Sequence, residues 1–139
     1  MKQAAIHLFA SLIFLITLTG CATSQKQSVE MEEAARATQR LGEEQYRYGQ
    51  YTSALKNLLE AEKSLSNDPH LHNSLGLVYM VKERPKLAET HFKKAISLKP
   101  DYPQAQNNLG GLYMQEKKWG QAITIFKQVS ENLLYPTPE

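Results

Sequence analysis

The chain has 139 residues, with 16 basic and 14 acidic side chains, a net charge of +2 and one cysteine. That length suits one ordinary domain. The near-balanced charge has no basic cluster long enough to hold phosphates, which excludes nucleic acid as an expected partner, and a single cysteine excludes an internal disulfide.

The first segment begins with Met1-Lys2 and continues as A-A-I-H-L-F-A-S-L-I-F-L-I-T-L-T-G. A charged start, an apolar middle and a small-residue exit are the layout of a secretory signal peptide. The run is short for a transmembrane helix, which needs about 20 apolar residues. It ends in Leu18-Thr19-Gly20-Cys21. An aliphatic residue, two small residues and a cysteine resemble the lipobox of bacterial lipoproteins. The resemblance implies that residues 1–20 are removed and that Cys21 carries lipid. Ala22, where an Asp would favour the inner membrane, implies a lipid-anchored protein on the periplasmic face of the outer membrane. Each buried CH₂ contributes about 0.8 kcal/mol, so a multiply acylated cysteine anchors stably. Apart from that covalent lipid, no cofactor is expected. Residues 21–30 then read as the lipidated cysteine and a polar tether. The remaining 119 residues, 21–139, carry 15 basic and 14 acidic side chains.

From residue 31 onward the chain is rich in Ala, Leu, Glu, Lys and Gln, all good helix formers. No sustained period-two alternation points to a strand. The expected class is all-α, with helices near 29–48, 51–65, 69–82, 85–98, 103–116 and 119–131. Asp68 is placed to cap the helix that begins at Pro69, and Pro69, Pro85 and Pro103 stand in first turns, where a missing N–H is harmless.

These helices repeat. Leu-Gly recurs at Leu41-Gly42, Leu75-Gly76 and Leu109-Gly110, each 34 residues on from the last. The middle unit adds Tyr79, Ala88, Phe92, Ala95 and Pro100, and the third adds Tyr113, Ala122 and Phe126. The first, more divergent, keeps Ala54, Leu58 and Ala61. A 34-residue period with these residues resembles the tetratricopeptide repeat (TPR), with His72 at the usual tryptophan position. The resemblance implies a solenoid of three helix-turn-helix units, near 35–68, 69–102 and 103–136, within a domain at 31–139. Glycine inside a helix costs about 1 kcal/mol against alanine. Its recurrence points to close approach of the second helix, with Ala54, Ala88 and Ala122 facing back.

In a TPR solenoid the first helices line a groove for a peptide or protein. Stepping along those helices places Arg36, Gln39, Arg40, Glu43, Tyr46 and Arg47 in the groove from the first unit. The second supplies His70, Asn73, Leu77, Met80 and Val81, and the third Gln104, Asn107, Asn108, Gly111, Met114 and Gln115. Asn73, Asn107 and Asn108 can hydrogen-bond a peptide backbone in either sense, while Leu77, Met80 and Met114 offer soft apolar contact. The asparagines partly echo the carboxylate clamp of chaperone-binding TPR proteins, but the clamp lysines are absent.

No catalytic constellation accompanies the groove. There is no Ser-His-Asp order, phosphate-binding glycine loop or zinc spacing. His70 and His72, two apart, do not face one another on a helix. His91 reads as a solvated helix residue and Trp119 as core or inter-unit packing. An enzyme, a metal centre and a small-molecule substrate are therefore not expected.

Asn107-Asn108-Leu109-Gly110 and the ending Leu134-Tyr135-Pro136, taken with the lipobox, resemble the type IV pilus biogenesis/stability TPR lipoproteins, or pilotins. The resemblance implies a protein that helps the pilus secretin, its expected partner, to localise and assemble at the outer membrane. The alternative is a general periplasmic adaptor that scaffolds peptidoglycan-remodelling proteins. In the pilotins L-Y-P-T-P-E leads into another first helix. The sequence thus implies either a truncated chain or an apolar edge at Ile123, Phe126 and Val129, covered by a partner or a second copy.

Overall fold

The computed structural model describes the backbone of residues 2–134 and the side chains of residues 25–131. Among the described residues there are six helices: α1 (Lys2–Arg47), α2 (Tyr51–Glu62), α3 (Pro69–Val81), α4 (Pro85–Leu98), α5 (Pro103–Gln115) and α6 (Trp119–Leu134). Among the described residues there is no strand. The chain divides into two units, residues 1–34 and 35–139.

The first unit is helical, and its residues 25–34 are solvent-exposed. The stretch expected as a tether runs on as helix, because no glycine or proline interrupts the chain between Cys21 and Leu41. Lys26 and Glu30 pair across one turn at 3.9 Å. Among the described residues no helix is long and apolar enough to cross a membrane. The Cys21 side chain, expected to carry lipid, lies outside the described side chains.

The second unit keeps the 34-residue register in its backbone. First helices end at Arg47, Val81 and Gln115, and second helices begin at Tyr51, Pro85 and Trp119. Between them Gly49, Glu83 and Lys117 all adopt the left-handed conformation, with φ of 73°, 57° and 58°. The same hydrogen bond closes each turn: Gln50 N–H donates to Gln45 O at 2.8 Å, Arg84 to Tyr79 at 2.9 Å and Lys118 to Tyr113 at 2.8 Å. This six-to-one bond around a left-handed residue is the Schellman helix stop. Asp68 caps α3 as expected. Its Oδ1 accepts the backbone N–H groups of His70 at 2.8 Å and Leu71 at 2.9 Å, satisfying two donors that the helix leaves open.

Consecutive helices α2 to α6 pack in series, and α3 also meets α5. Their core holds Ala54, Leu58, Leu71, Leu75, Val78, Ala88, Phe92 and Leu112, all essentially inaccessible to solvent. The glycines explain the closeness of each pair, but the partner differs from the alanines expected. The nearest side chain to Gly42 is Leu58, to Gly76 Phe92 and to Gly110 Phe126, in each case sixteen residues on. Ala54, Ala88 and Ala122 are buried one turn earlier on the same helices.

Two side chains expected to pack do not. Leu41 is 49% exposed, although Leu75 and Leu109 at the same register are buried. Leu75 packs into a cluster with Ala54, Leu58 and Ala61 of the preceding unit, whereas no helical pair precedes Leu41. Trp119 is 55% exposed, because it opens the last second helix and no further helix stacks there among the described residues. Of the three residues expected at an apolar edge, Ile123 is exposed and Phe126 half-buried, but Val129 is buried.

Candidate protein-binding groove

The first helices α1, α3 and α5 carry equivalent positions at intervals of 34, so one face collects three sets of side chains. Where α1 meets α3 the structure forms a pocket of about 310 Å³ lined by Glu43, Tyr46, Arg47, Ser74 and Leu77. Four of these five residues were expected from the helix face. Ser74 was missed, although it stands midway in the 34-residue register between Arg40 and Asn108.

A polar chain fixes the pocket floor. Gln39 Nε2 and Ser74 Oγ each donate to Glu43 Oε1 at 2.9 Å. Glu43 therefore arrives with its carboxylate already engaged by two neutral donors, one from each first helix. Tyr46 packs against Tyr51 with ring centroids 5.7 Å apart. Burial, and then the neighbouring Tyr51, push the Tyr46 hydroxyl above its ordinary pKa, so it remains a neutral donor.

Other expected groove residues divide by where the next unit lies. Asn73 is buried, and its Oδ1 accepts from Asn108 Nδ2 at 2.9 Å, tying α3 to α5. These two amides thus bridge repeats. Asn107, one unit beyond Asn73 in register, is exposed. Met80 is half-buried against the Phe92 and Leu109 cluster, while Met114 at the same register is 48% exposed. Leu77 both packs on that cluster and lines the pocket.

Arg36 and Asp68 join α1 to the start of α3 at 3.0 Å. Burial pushes the Asp68 carboxyl up, but the Leu71 N–H, the Arg36 guanidinium and the His70 N–H outweigh it and hold it below its ordinary value. Between α4 and α5, Glu89 accepts from Tyr113 Oη at 2.9 Å, and it pairs with Lys93 at 2.7 Å. Lys93 is the main reason that the Glu89 carboxyl is held low, against the upward push of burial, with Tyr113 adding to the effect.

The histidines depart from expectation. His70 Nδ1 lies 2.9 Å from Tyr102 Oη, joining the start of α3 to the residue that precedes α5. His91 is not a solvated helix residue. It is half-buried, stacked on Tyr79 with centroids 5.3 Å apart and 3.1 Å from His72, nitrogen to nitrogen. Burial pushes its imidazole pKa down, with Glu62 opposing and His72 adding to the shift. The spacing of His70 and His72 had no bearing on this meeting, which lies between different helices.

Three antiparallel helical pairs in one register, with a groove along their first helices, define an all-α tetratricopeptide-repeat solenoid. Tetratricopeptide-repeat profiles match residues 39–103 and 81–133, and the chain belongs to that superfamily. Over 134 residues, 91% of its length, it is 29% identical to the type IV pilus assembly protein PilF of Pseudomonas aeruginosa, of which it spans 53%. A solved structure from a functional characterization of that organism's PilF superimposes with a TM-score of 0.69 at 26% identity, over 77% of this chain and 48% of that one. The first TPR domain of Spaghetti (RPAP3), solved with an HSP90 peptide, gives a TM-score of 0.68 at 19% identity over 77% and 83% of the two chains, a likeness of fold alone. The chain spans about half the length of PilF.

Proposed function

We propose that this protein is a lipid-anchored scaffold of the outer membrane that assists type IV pilus assembly by holding a segment of the secretin. The observation that carries the reading is the α1–α3 pocket of Glu43, Tyr46, Arg47, Ser74 and Leu77, in a chain similar to PilF along 91% of its length. Leu77 and the Tyr46 ring supply apolar surface, Arg47 supplies donors for a carbonyl or carboxylate, and Ser74, whose proton goes to Glu43, keeps a lone pair for a peptide N–H. Such a site suits an extended peptide bound by a few side chains and its backbone. Asn107, Asn108 and Met114 carry the same surface toward α5. Binding without turnover is the whole task, so the residues need no activated nucleophile or acid–base pair. The lipid expected on Cys21 supplies the membrane address, and the helical residues 22–34 lead from it to the repeats.

The test is secretin multimer formation in outer-membrane fractions. Cells carry the wild type, Cys21→Ser, Tyr46→Ala with Leu77→Ala, or a deletion. The expected outcome is loss of multimers in the deletion and the groove variant, and mislocalised multimers with Cys21→Ser. Unchanged multimers in all of them overturn the pilus reading and leave the general envelope adaptor.

A further inference from the structure

Glu62, His72 and His91 come from three helices of two repeats: the last residue of α2, the first turns of α3 and the middle of α4. One donor atom from each lies within 4.8 Å of the other two. His72 Nδ1 is 3.1 Å from His91 Nδ1 and 3.7 Å from Glu62 Oε1. A tetrahedral zinc ion with bonds of about 2.0–2.1 Å to imidazole and carboxylate sets its donors about 3.3 Å apart. The two measured separations bracket that value.

The orientation of His72 is the second observation. Its Nε2 lies 2.8 Å from the backbone carbonyl of Ser66. A carbonyl can only accept, so Nε2 carries the proton and the neutral ring presents a bare Nδ1 lone pair. That lone pair faces His91 and the Glu62 carboxylate. Two acceptors, Nδ1 and the carboxylate, thus confront each other at 3.7 Å inside a site where His72 is only 4% exposed. One proton on His91 Nδ1 satisfies the ring-to-ring contact and leaves the carboxylate opposite a lone pair. A cation satisfies all three donors at once. A metal-ligating histidine whose other ring nitrogen donates to a backbone carbonyl is the usual outer-shell arrangement, because that bond fixes both tautomer and ring plane. Tyr79, stacked on the His91 ring, holds the second ligand in place.

We propose that Glu62, His72 and His91 form a divalent transition-metal site of the zinc class that clips α2, α3 and α4 together. Two imidazoles and one carboxylate favour zinc, cobalt or nickel over calcium and magnesium, which take oxygen donors. The doubly positive ion against one carboxylate leaves a single excess charge at a half-open site, where water completes the coordination. The site lies between the repeats and shares no residue with the pocket of Glu43 and Leu77, so it stands whether or not the groove binds secretin.

The full-length chain, purified in detergent without a histidine tag and stripped with a chelator, is titrated with Co²⁺. The expected result is one Co²⁺ per chain with visible ligand-field absorption, displaced by Zn²⁺. Zn²⁺ at a hundredfold excess over its Kd raises the melting temperature by roughly 10 °C. Glu62→Gln weakens Co²⁺ binding at least tenfold and His91→Gln removes the absorption, while both keep the helical circular dichroism of the metal-free wild type. His70→Ala, which changes the remaining histidine of residues 21–139, binds as the wild type does. Absence of Co²⁺ absorption in the wild type overturns the proposal. So does undiminished binding in both Glu62→Gln and His91→Gln, or its loss in His70→Ala.

Discussion

The ring of Phe92 passes 2.5 Å from the point where a Cβ on Gly76 would stand, closer than two carbons approach. Gly76→Ala therefore forces the ring, or the whole of α4, outward. Phe92 is fully buried, so nothing around it yields easily. The expected loss is about 2–3 kcal/mol in chemical denaturation, the upper part of the range for overpacking. Gly110→Ala costs less, because Phe126 is only half-buried and can swing toward solvent. Pairing Gly76→Ala with Phe92→Leu recovers part of the loss, a coupling that a double-mutant cycle reads directly.

Glu83 and Lys117 hold the left-handed helix stop that Gly49 occupies in the first repeat. A residue with a Cβ is disfavoured there by roughly 1–2 kcal/mol, and glycine returns part of that gain as unfolded-state entropy. Glu83→Gly should raise stability by about 0.5–1 kcal/mol in urea denaturation, with Gly49→Ala lowering it. Glu83 is solvent-exposed, so lost packing does not confuse the comparison.

Asp68→Ala removes two accepted N–H bonds at the start of α3 and the partner of Arg36. The expected cost at neutral pH is about 1–2 kcal/mol, the size of a strong helix cap. The carboxyl pKa is lower in the folded chain than in the unfolded one. Its contribution is accordingly present above the unfolded pKa and is lost as pH falls through the folded value. The difference in denaturation midpoint between wild type and Asp68→Ala should narrow in that acid window and stay constant from pH 6 to 8.

Asn108→Ala deprives the buried Asn73 Oδ1 of its donor at 2.9 Å. An unmet buried acceptor costs about 1–3 kcal/mol, more than the net worth of the bond itself. Asn73→Ala with Asn108→Ala should therefore be less destabilising than the sum of the single changes, as measured by thermal melts of all four proteins. If the groove binds peptide through Asn108, the same single variant also weakens that binding, and the Asn73→Ala variant distinguishes the two roles.

The repeat was legible because each of its devices is local. Proline at Pro69, Pro85 and Pro103 opens a helix through its own ring geometry, and the Asp68 cap reaches only two and three residues along the chain. The groove was legible in part, since Tyr46 and Leu77 follow from the face on which Leu75 and Gly76 must pack. Ser74 escaped because its serine looks like any solvated helix residue until the register from Arg40 to Asn108 is applied.

What the sequence by itself determined is a 34-residue rhythm of paired helices and the glycines at their closest contacts. The tertiary structure alone decided that Leu41 and Trp119 stay exposed, that Asn73 is buried on Asn108, and that His91 meets His72 and Glu62. Helical periodicity fixes which side of a helix a residue occupies. Which residue it meets depends on the stagger and rotation of a neighbouring helix, set by many packed side chains together. Position in the stack adds the rest: Leu75 has a unit before it and Leu41 has none, so the same residue at the same register is buried in one and wet in the other.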